Sequence, residues 1–371
     1  MGILKVAWDN HYVQRNEGGT GVYGTSLLQQ LSSREDLQLS VLDGWQTPRQ
    51  GGLITRTSRV ARDLFWTHAV LPNALKKLKV DLLHAPAFTA PLASPCPVVI
   101  TVHDITFLLY SSHFRRWWVA YLKAVMPPAV RSAAAVICVS EHAKRDIVNT
   151  YRVASDKVHV VAHGVDHQQF HPGVALDVDW AKELGLRDGY LLHVGTLSSR
   201  KNIPTLLRAF ANLRSRGAGK ADQLVLAGQE HPALSGAAEI RETIRQLDLA
   251  GSVLFAGHVP DQRLPGLYAH ASVLVMPSLY EGFGFPVLES MAVGTPVVAS
   301  DTSSLPEVAG DAAILVPPLD DHALANAISD IINDPPLAEK LRSKGLKRAQ
   351  QFSWQRAANE TMAVYRRVAE R

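Results

Sequence analysis

The stretch Met276–Ser300, MPSLYEGFGFPVLESMAVGTPVVAS, decides how the rest of the chain is read. An apolar run ends at Pro277, a Gly-Phe-Gly-Phe turn leads to Pro286, and a second apolar run begins near Pro296. Proline at the first helical position sacrifices no intrahelical donor, so the spacing predicts a helix opening at Pro286. Gly294 predicts its end near Val293, because glycine readily takes the left-handed conformation just past a helix. The stretch reads strand, loop, helix, strand. Backbone N–H groups of residues near 284–288 would then sit at a positive helix end, a seat for phosphate. Glu281 and Glu289 flank that seat, eight residues apart. Carboxylates beside phosphate alone would oppose binding, but each can accept hydrogen bonds from hydroxyls on either side of a diphosphate. A ribose on one side and a sugar on the other meet that description, so the ligand implied is a nucleotide-diphosphate sugar.

Outward from this stretch, apolar runs alternate with helical patterns along the whole chain. In the first half the runs are ILKVAW, LQLSVLD, VDLLH (80–84), VVITV (98–102), AVICV (135–139) and VHVVA (158–162). A helix is predicted over 22–33, with Val22, Leu27, Leu28 and Leu31 on one face. After residue 175 the pattern restarts with YLLHVG, QLVLAG, SVLFAG, SVLVMP, PVVAS and AAILVP. Such alternation predicts an α/β chain of two Rossmann-like, doubly wound domains with an interdomain cleft. The boundary falls in HGVDHQQFHPGVALDVDW, giving a first domain over 1–172 and a second over 173–353. A terminal helix follows over about 354–371. Ligands collect at the carboxyl ends of such strands, which places the chemistry in strand-to-helix loops.

A chain of 371 residues, 47% hydrophobic and 19% charged, is globular and long enough for two domains. Residues 1–175 carry 18 Lys and Arg against 12 Asp and Glu, while the remainder carries 20 against 22. The basic first half points to an anionic partner, a phosphate-bearing substrate or a membrane surface. No nucleic-acid-binding motif accompanies the charge, so nucleic acid is not expected. Lys5, Asp9 and Asn10 interrupt the apolar start and predict no signal peptide. Cys96 and Cys138, both in apolar surroundings, suit a reducing compartment, and the expected location is cytoplasmic.

The hexapeptide GTGVYG (19–24) raises a competing reading. Gly19, Gly21 and Gly24 fit the dinucleotide fingerprint, and Asp43 lies where an acidic residue would grip a ribose. That would make the chain a nicotinamide-dependent oxidoreductase. A true fingerprint, however, sets its first glycine at the end of the first strand. Here ten residues, DNHYVQRNEG, separate the strand end at Trp8 from Gly19. A loop closing over a phosphate suits that gap better.

Taken in order, the segments GGTGVYGTSLLQQL, ITVHDITFL, VSEHAKRDI, HGVD with a following Phe, HVGTLSSRKNIPTLLRAF, GHVPDQRLPGLYAHASVLVMPSLYEGFGFPVLESMAVGTPVVAS and LPEVAGDAA resemble the retaining glycosyltransferases of family 4, which have the GT-B fold. They span roughly residues 17–317, and the closest likeness is to the bacterial polysaccharide branch rich in mannosyltransferases. The resemblance implies that Glu289 binds the donor ribose and Glu281 the donor sugar. It implies that the loop and first turn formed by Gly282, Phe283, Gly284, Phe285, Val287 and Leu288 bind sugar and distal phosphate. Arg200 and Lys201 match the basic pair that neutralises the diphosphate. Many relatives carry Gly-Arg where this chain has Gly195-Thr196, which leaves more of that role to Arg200 and Lys201. From the first domain, a turn at Gly19 and Gly21 would approach the diphosphate, and His103, oriented by Asp104, would face sugar and acceptor. Backbone near Gly228 and Val259 would recognise the base. The terminal helix would pack back on the first domain, and closure about a 165–190 linker would assemble the site. GDP-mannose is the donor implied, ahead of another GDP-linked hexose, UDP-glucose or dTDP-rhamnose. The acceptor implied is a saccharide or a lipid-linked oligosaccharide in cell-surface polysaccharide synthesis. No cofactor and no metal are expected.

Other features have simpler explanations. His163, His167 and His171 recur every four residues, but Gly164 and Pro172 predict a loop rather than a metal-binding helix face. Asp177 and Asp179 form an Asp-x-Asp best read as a helix cap before WAKELGL. The segment 114–125, FRRWWVAYLKAV, puts Phe114, Trp117, Trp118, Tyr121 and Leu122 on one face of a predicted helix, with Arg115, Arg116 and Lys123 elsewhere. Such a helix suits either peripheral membrane contact or a sheet cover. Two other classes remain open at this level. A glycoside hydrolase would use paired carboxylates but needs no phosphate seat, and a non-catalytic sugar-nucleotide-binding protein would share the site without turnover.

Overall fold

The computed structural model describes residues 2–15, 18–44, 60–217, 222–230 and 234–370. It contains two six-stranded sheets, both parallel throughout. The first comprises β1 (Leu4–Asp9), β2 (Leu37–Leu42), β3 (Leu82–Ala85), β4 (Val98–Val102), β5 (Ala135–Cys138) and β6 (Val158–Val160), in the order β2-β1-β3-β4-β5-β6. The second comprises β7 (Leu191–Val194), β8 (Leu224–Ala227), β9 (Val253–Gly257), β10 (Val273–Met276), β11 (Val297–Ser300) and β12 (Ile314–Val316), in the order β12-β11-β10-β7-β8-β9. All twelve predicted runs form strands. Both orders reverse direction once, between β1 and β3 in the first sheet and between β7 and β10 in the second. A crevice opens at the carboxyl ends of the strands where such an order reverses.

The physical reason for the parallel arrangement lies in the strands themselves. β3, β4, β5, β8, β10 and β11 are buried at every position, as strands covered by helices on both faces must be. Continuous Val, Leu, Ile and Ala runs satisfy that demand. In the second sheet the helix Ile203–Ser215 lays Leu206, Leu207, Phe210 and Leu213, all fully buried, onto the cluster that includes Leu191, Leu224 and Val273. Truncating Phe210 there would cost about 3–5 kcal/mol.

Two compact units follow from the internal contacts. The first gathers 1–105, 120–164 and 354–371; the second gathers 106–119 and 165–353. Within the first, Tyr365 of the helix Trp354–Ala369 is fully buried and hydrogen-bonds His84 of β3.

Several expectations need correction. Gly19 and Gly21 form no turn: they open the helix Gly19–Ser32, with Gly18 at its N-cap. The buried face of that helix is Tyr23, Gly24, Leu27 and Leu31, and Val22 points outward at 39% exposure. Gly24 is required because a Cβ there would lie 2.3 Å from Val13 Cγ1, so the helix is packed against the chain segment before it. Phe114 precedes the helix Arg116–Ser132 in extended conformation. Val119, Leu122 and Met126 bury that helix, while Trp117 is 47% exposed beside exposed Arg115 and Arg116. Among the described residues no helix is long and apolar enough to cross a membrane.

Candidate functional site: a doubly bridged glutamate at the sheet reversal

The second sheet brings two predicted pieces together at its reversal point. Arg200 and Lys201 follow β7, Glu281 follows β10, and β7 pairs with β10. After β7 the chain turns through Gly195, whose φ is +150°, and a Cβ there would lie 2.8 Å from Lys201 Cε. The lysine stem therefore lies directly across a glycine, which suits only a residue without a side chain. A short 3-10 turn, Ser199–Lys201, ends at Asn202 in the left-handed conformation with φ +53°. Asn202 stands at the N-cap of the next helix, Ile203–Ser215, but its side chain does not cap it: the amide donates to the carbonyls of Pro277 (3.0 Å) and Pro318 (2.5 Å). Those bonds pin the β7 loop to the β10 loop.

Glu281 is held by both cations. Arg200 Nη1 donates to its Oε2 at 2.7 Å and Lys201 Nζ to its Oε1 at 2.6 Å, while Ser278 Oγ donates to the same Oε1 at 2.6 Å. Arg200 also donates to the Tyr280 carbonyl at 2.6 Å. Lys201 and Glu281 are buried, at 6% and 7% exposure. Burial alone would raise the Glu281 carboxyl, but Arg200 and Lys201, with the Lys201 and Ser278 hydrogen bonds, outweigh it and hold it at about 2. The group is ionised at neutral pH and leaves a net charge of +1 on the triad. Beneath it, the fully buried His193 donates from Nδ1 to the Val275 carbonyl at 3.0 Å. Burial and the Lys201 charge hold His193 down at about 4, so it stays neutral.

The helix expected at Pro286 runs Phe285–Val293, with Pro286 in its first turn, Gly284 at the N-cap (φ +110°) and Gly294 closing it (φ +88°). Its positive end faces the loop Gly282–Gly284, the seat expected for phosphate. Phe283 is buried against Phe285 and Phe352. Ser303 and Ser304 fix this loop: Glu281 N donates to Ser303 Oγ, and Ser304 Oγ donates to the carbonyls of Glu281 and Phe283. Sequence reading missed both serines and Ser278. The only available signal was Ser-Ser placed just before Leu305-Pro306, where another helix opens.

Glu289, on the same helix, accepts a hydrogen bond from Tyr268 Oη at 2.8 Å. Burial pushes its carboxyl up to about 7; Tyr268 opposes the shift and Asp261 adds to it. The two glutamates, alike in sequence, thus have opposite electrostatics. Val259 is buried in the loop after β9. Gly228, after β8, packs so closely that a Cβ would lie 2.0 Å from the Gly195 carbonyl oxygen.

The first unit carries the remaining candidates. His103 follows β4, and its Nε2 donates to the Pro86 carbonyl at 3.1 Å, which fixes the neutral tautomer. Burial holds its pKa down, against Pro86 and Asp104. The Tyr23 ring, from the helix that Gly19 and Gly21 begin, meets His103 edge-on at 4.8 Å. Asp43 accepts from Asn10 Nδ2 at 2.6 Å. His163, His167 and His171 lie in irregular chain, where His167 and His171 bond the carbonyls of Phe352 and Pro172. Asp177 caps the helix Val178–Leu184 by accepting from Trp180 N.

Comparison with known proteins gives the family. Residues 178–348 match the family described as Glycosyl transferases group 1, and residues 18–169 match Glycosyltransferase Family 4. The chain is 32% identical to O-antigen chain mannosyltransferase B of Escherichia coli, covering 79% of this chain and 76% of that protein. It is 33% identical to the MMP alpha-(1->4)-mannosyltransferase of Mycolicibacterium hassiacum over 69% of this chain and 59% of that one. In fold it is similar to sucrose-phosphate synthase from Thermosynechococcus elongatus (TM-score 0.78, 23% identity, 98% of each chain). It also resembles HepE from Anabaena in complex with UDP and glucose (TM-score 0.74, 20% identity, 97% of this chain and 99% of that one). The chain is a glycosyltransferase of family 4 with the GT-B fold.

Proposed function

We propose that the protein transfers mannose from GDP-mannose, with retention of anomeric configuration and without a metal, to a saccharide or lipid-linked saccharide acceptor. The observation that carries this reading is the Arg200–Lys201–Glu281 triad beside the positive end of the helix Phe285–Val293. As the glycosidic bond breaks, negative charge grows on the leaving diphosphate. Fixed cations and a helix end stabilise that charge more in the transition state than in the ground state. Glu281, ionised and acceptor-only, suits orientation of a sugar hydroxyl rather than proton donation. Glu289 suits the ribose hydroxyls once ionised. Neutral His103 offers Nδ1 as an acceptor, since Nε2 is committed to Pro86. The mannosyl donor is supported by the likeness to two mannosyltransferases.

The test is transfer from GDP-mannose, in EDTA, to a panel of methyl glycosides and to a lipid extract, with the product linkage read by NMR. An α-linked mannosyl product, lost in Glu281→Ala, is expected. A β-linked product, a requirement for added metal, or turnover only with UDP-glucose, dTDP-rhamnose or a GDP-deoxyhexose would contradict the reading. Nucleotide-sugar binding without turnover on any acceptor would point to the non-catalytic alternative.

A further inference from the structure

Behind His103 lies a row of buried polar groups that the donor chemistry leaves unused. His103 stands just past the carboxyl end of β4, half-buried, with its Nε2–H spent on the Pro86 carbonyl. One hydrogen bond anchors a nitrogen but leaves the imidazole plane free to swing about it. Two rings stop the swing: Tyr23 meets His103 edge-on at 4.8 Å, and His163 lies tilted against it at 5.5 Å. Tyr23 also touches His163 at 4.9 Å, and His163 packs in turn on Trp354, which opens the helix Trp354–Ala369.

The hydroxyl end of Tyr23 is tied to the same helix. Tyr23 Oη shares a hydrogen bond with Thr101 Oγ1 at 2.9 Å, Thr101 Oγ1 lies 2.8 Å from His84 Nε2, and His84 Nδ1 meets Tyr365 Oη. All four side chains are fully buried. Burial, with His103 adding to it, holds His84 down at about 3, so its ring is neutral, with one N–H and one lone pair. Among the described residues His84 is the one hydrogen-bond partner of the Tyr365 hydroxyl, which therefore donates to Nδ1 and leaves Nε2–H to donate to Thr101. The reverse order would bury the Tyr365 proton without an acceptor, which is costly. These bonds join the terminal helix, β3, β4 and the helix Gly19–Ser32, and a paired buried network of this kind specifies one arrangement. We propose that Tyr23 is the positioning residue of His103, held by Thr101, His84 and Tyr365, so that the terminal helix sets the direction of the His103 Nδ1 lone pair. The inference rests on the role given to His103 above.

Histidine-selective ¹H–¹⁵N NMR of the full chain without substrate tests it, beside steady-state transfer from GDP-mannose. Tyr23→Phe keeps the ring and removes the hydroxyl. Thr101→Val keeps the volume and removes the hydroxyl, whereas Thr101→Ser keeps the hydroxyl and removes the methyl. In Tyr23→Phe and Thr101→Val the His103 ring signals should shift or broaden, and kcat should fall roughly tenfold with donor KM unchanged. Thr101→Ser should match the unmodified protein in both readings. Tyr365→Phe, at the far end of the chain of bonds, should move the same His103 signals although no hydrogen bond joins it to that ring. His103 signals unmoved in Tyr23→Phe, Thr101→Val and Tyr365→Phe would overturn the inference. So would a Thr101→Ser variant as defective as Thr101→Val, because packing rather than the hydroxyl would then hold Tyr23. Undiminished turnover in His103→Ala would instead strike at the role of His103 and leave the NMR result standing, so the two failures are distinguishable.

Discussion

Replacing Glu281 by glutamine removes one charge from a buried triad while keeping the shape and one acceptor oxygen. The carboxyl sits at about 2 in the folded protein against an ordinary 4.5. That difference corresponds to about 3 kcal/mol of stability at neutral pH. Its sign follows from linkage. A depressed carboxyl contributes stability that is complete above about 4.5 and lost as the pH falls through about 2. Glu281→Gln should therefore lower the melting temperature of the second unit at pH 7 by roughly 6–12 °C. The gap should narrow steadily below pH 4.5. Breaking a buried pair by removing one partner generally costs about 3–5 kcal/mol, in line with this figure. Scanning calorimetry between pH 3 and 8 reads the effect. Ligand binding gives an independent reading: with Arg200 and Lys201 freed of their competitor, GDP should bind the variant at least as tightly while turnover falls about a hundredfold. Equal melting temperatures at pH 7, or a gap that widens in acid, would mean that Glu281 is not held ionised by Arg200 and Lys201.

Glu289 should behave oppositely. Because its carboxyl is raised to about 7, the unliganded protein should lose stability as the pH rises from about 4.5 to about 7 and level off above, a slope that Glu289→Gln abolishes. Donor KM should fall over pH 6–8 as Glu289 ionises, and Tyr268→Phe, by removing the bond that favours the ionised form, should move that profile to higher pH. Gly195→Ala should displace the Lys201 stem and raise the donor KM, since its Cβ would lie 2.8 Å from Lys201 Cε; an unchanged KM would contradict the close approach. Trp117→Ser should reduce co-sedimentation with anionic vesicles if the exposed indole and its flanking arginines touch a membrane; equal sedimentation would remove that role.

The legible parts of this molecule are those fixed locally. Apolar runs became strands because strands covered on both faces need nothing else, and Pro286 and Gly294 set the ends of their helix by backbone preference alone. Gly19 and Gly21 misled because glycine is compatible with a turn and with a helix's first turn alike, and Val13, whose packing fixes Gly24 on the buried face, gave no signal of its own. The contact of Glu281 with Arg200 and Lys201 spans about eighty positions and depends on β7 lying beside β10. Alternation reveals strands but not their order, so nothing in the sequence sets Glu281 against Arg200 and Lys201. Ser278, Ser303 and Ser304 were invisible for the same reason: small polar residues acquire meaning from the loop folded over them.

In the proposed function, the triad and the helix end form a diphosphate seat for a guanine nucleotide sugar. Calorimetric titration of GDP, UDP, dTDP and NAD(H), in EDTA, into the protein and into Arg200→Ala and Lys201→Ala tests it most directly. GDP should bind most tightly, and each substitution should weaken it by more than about tenfold. Binding of NAD(H) alone, or GDP binding indifferent to both substitutions, would contradict it.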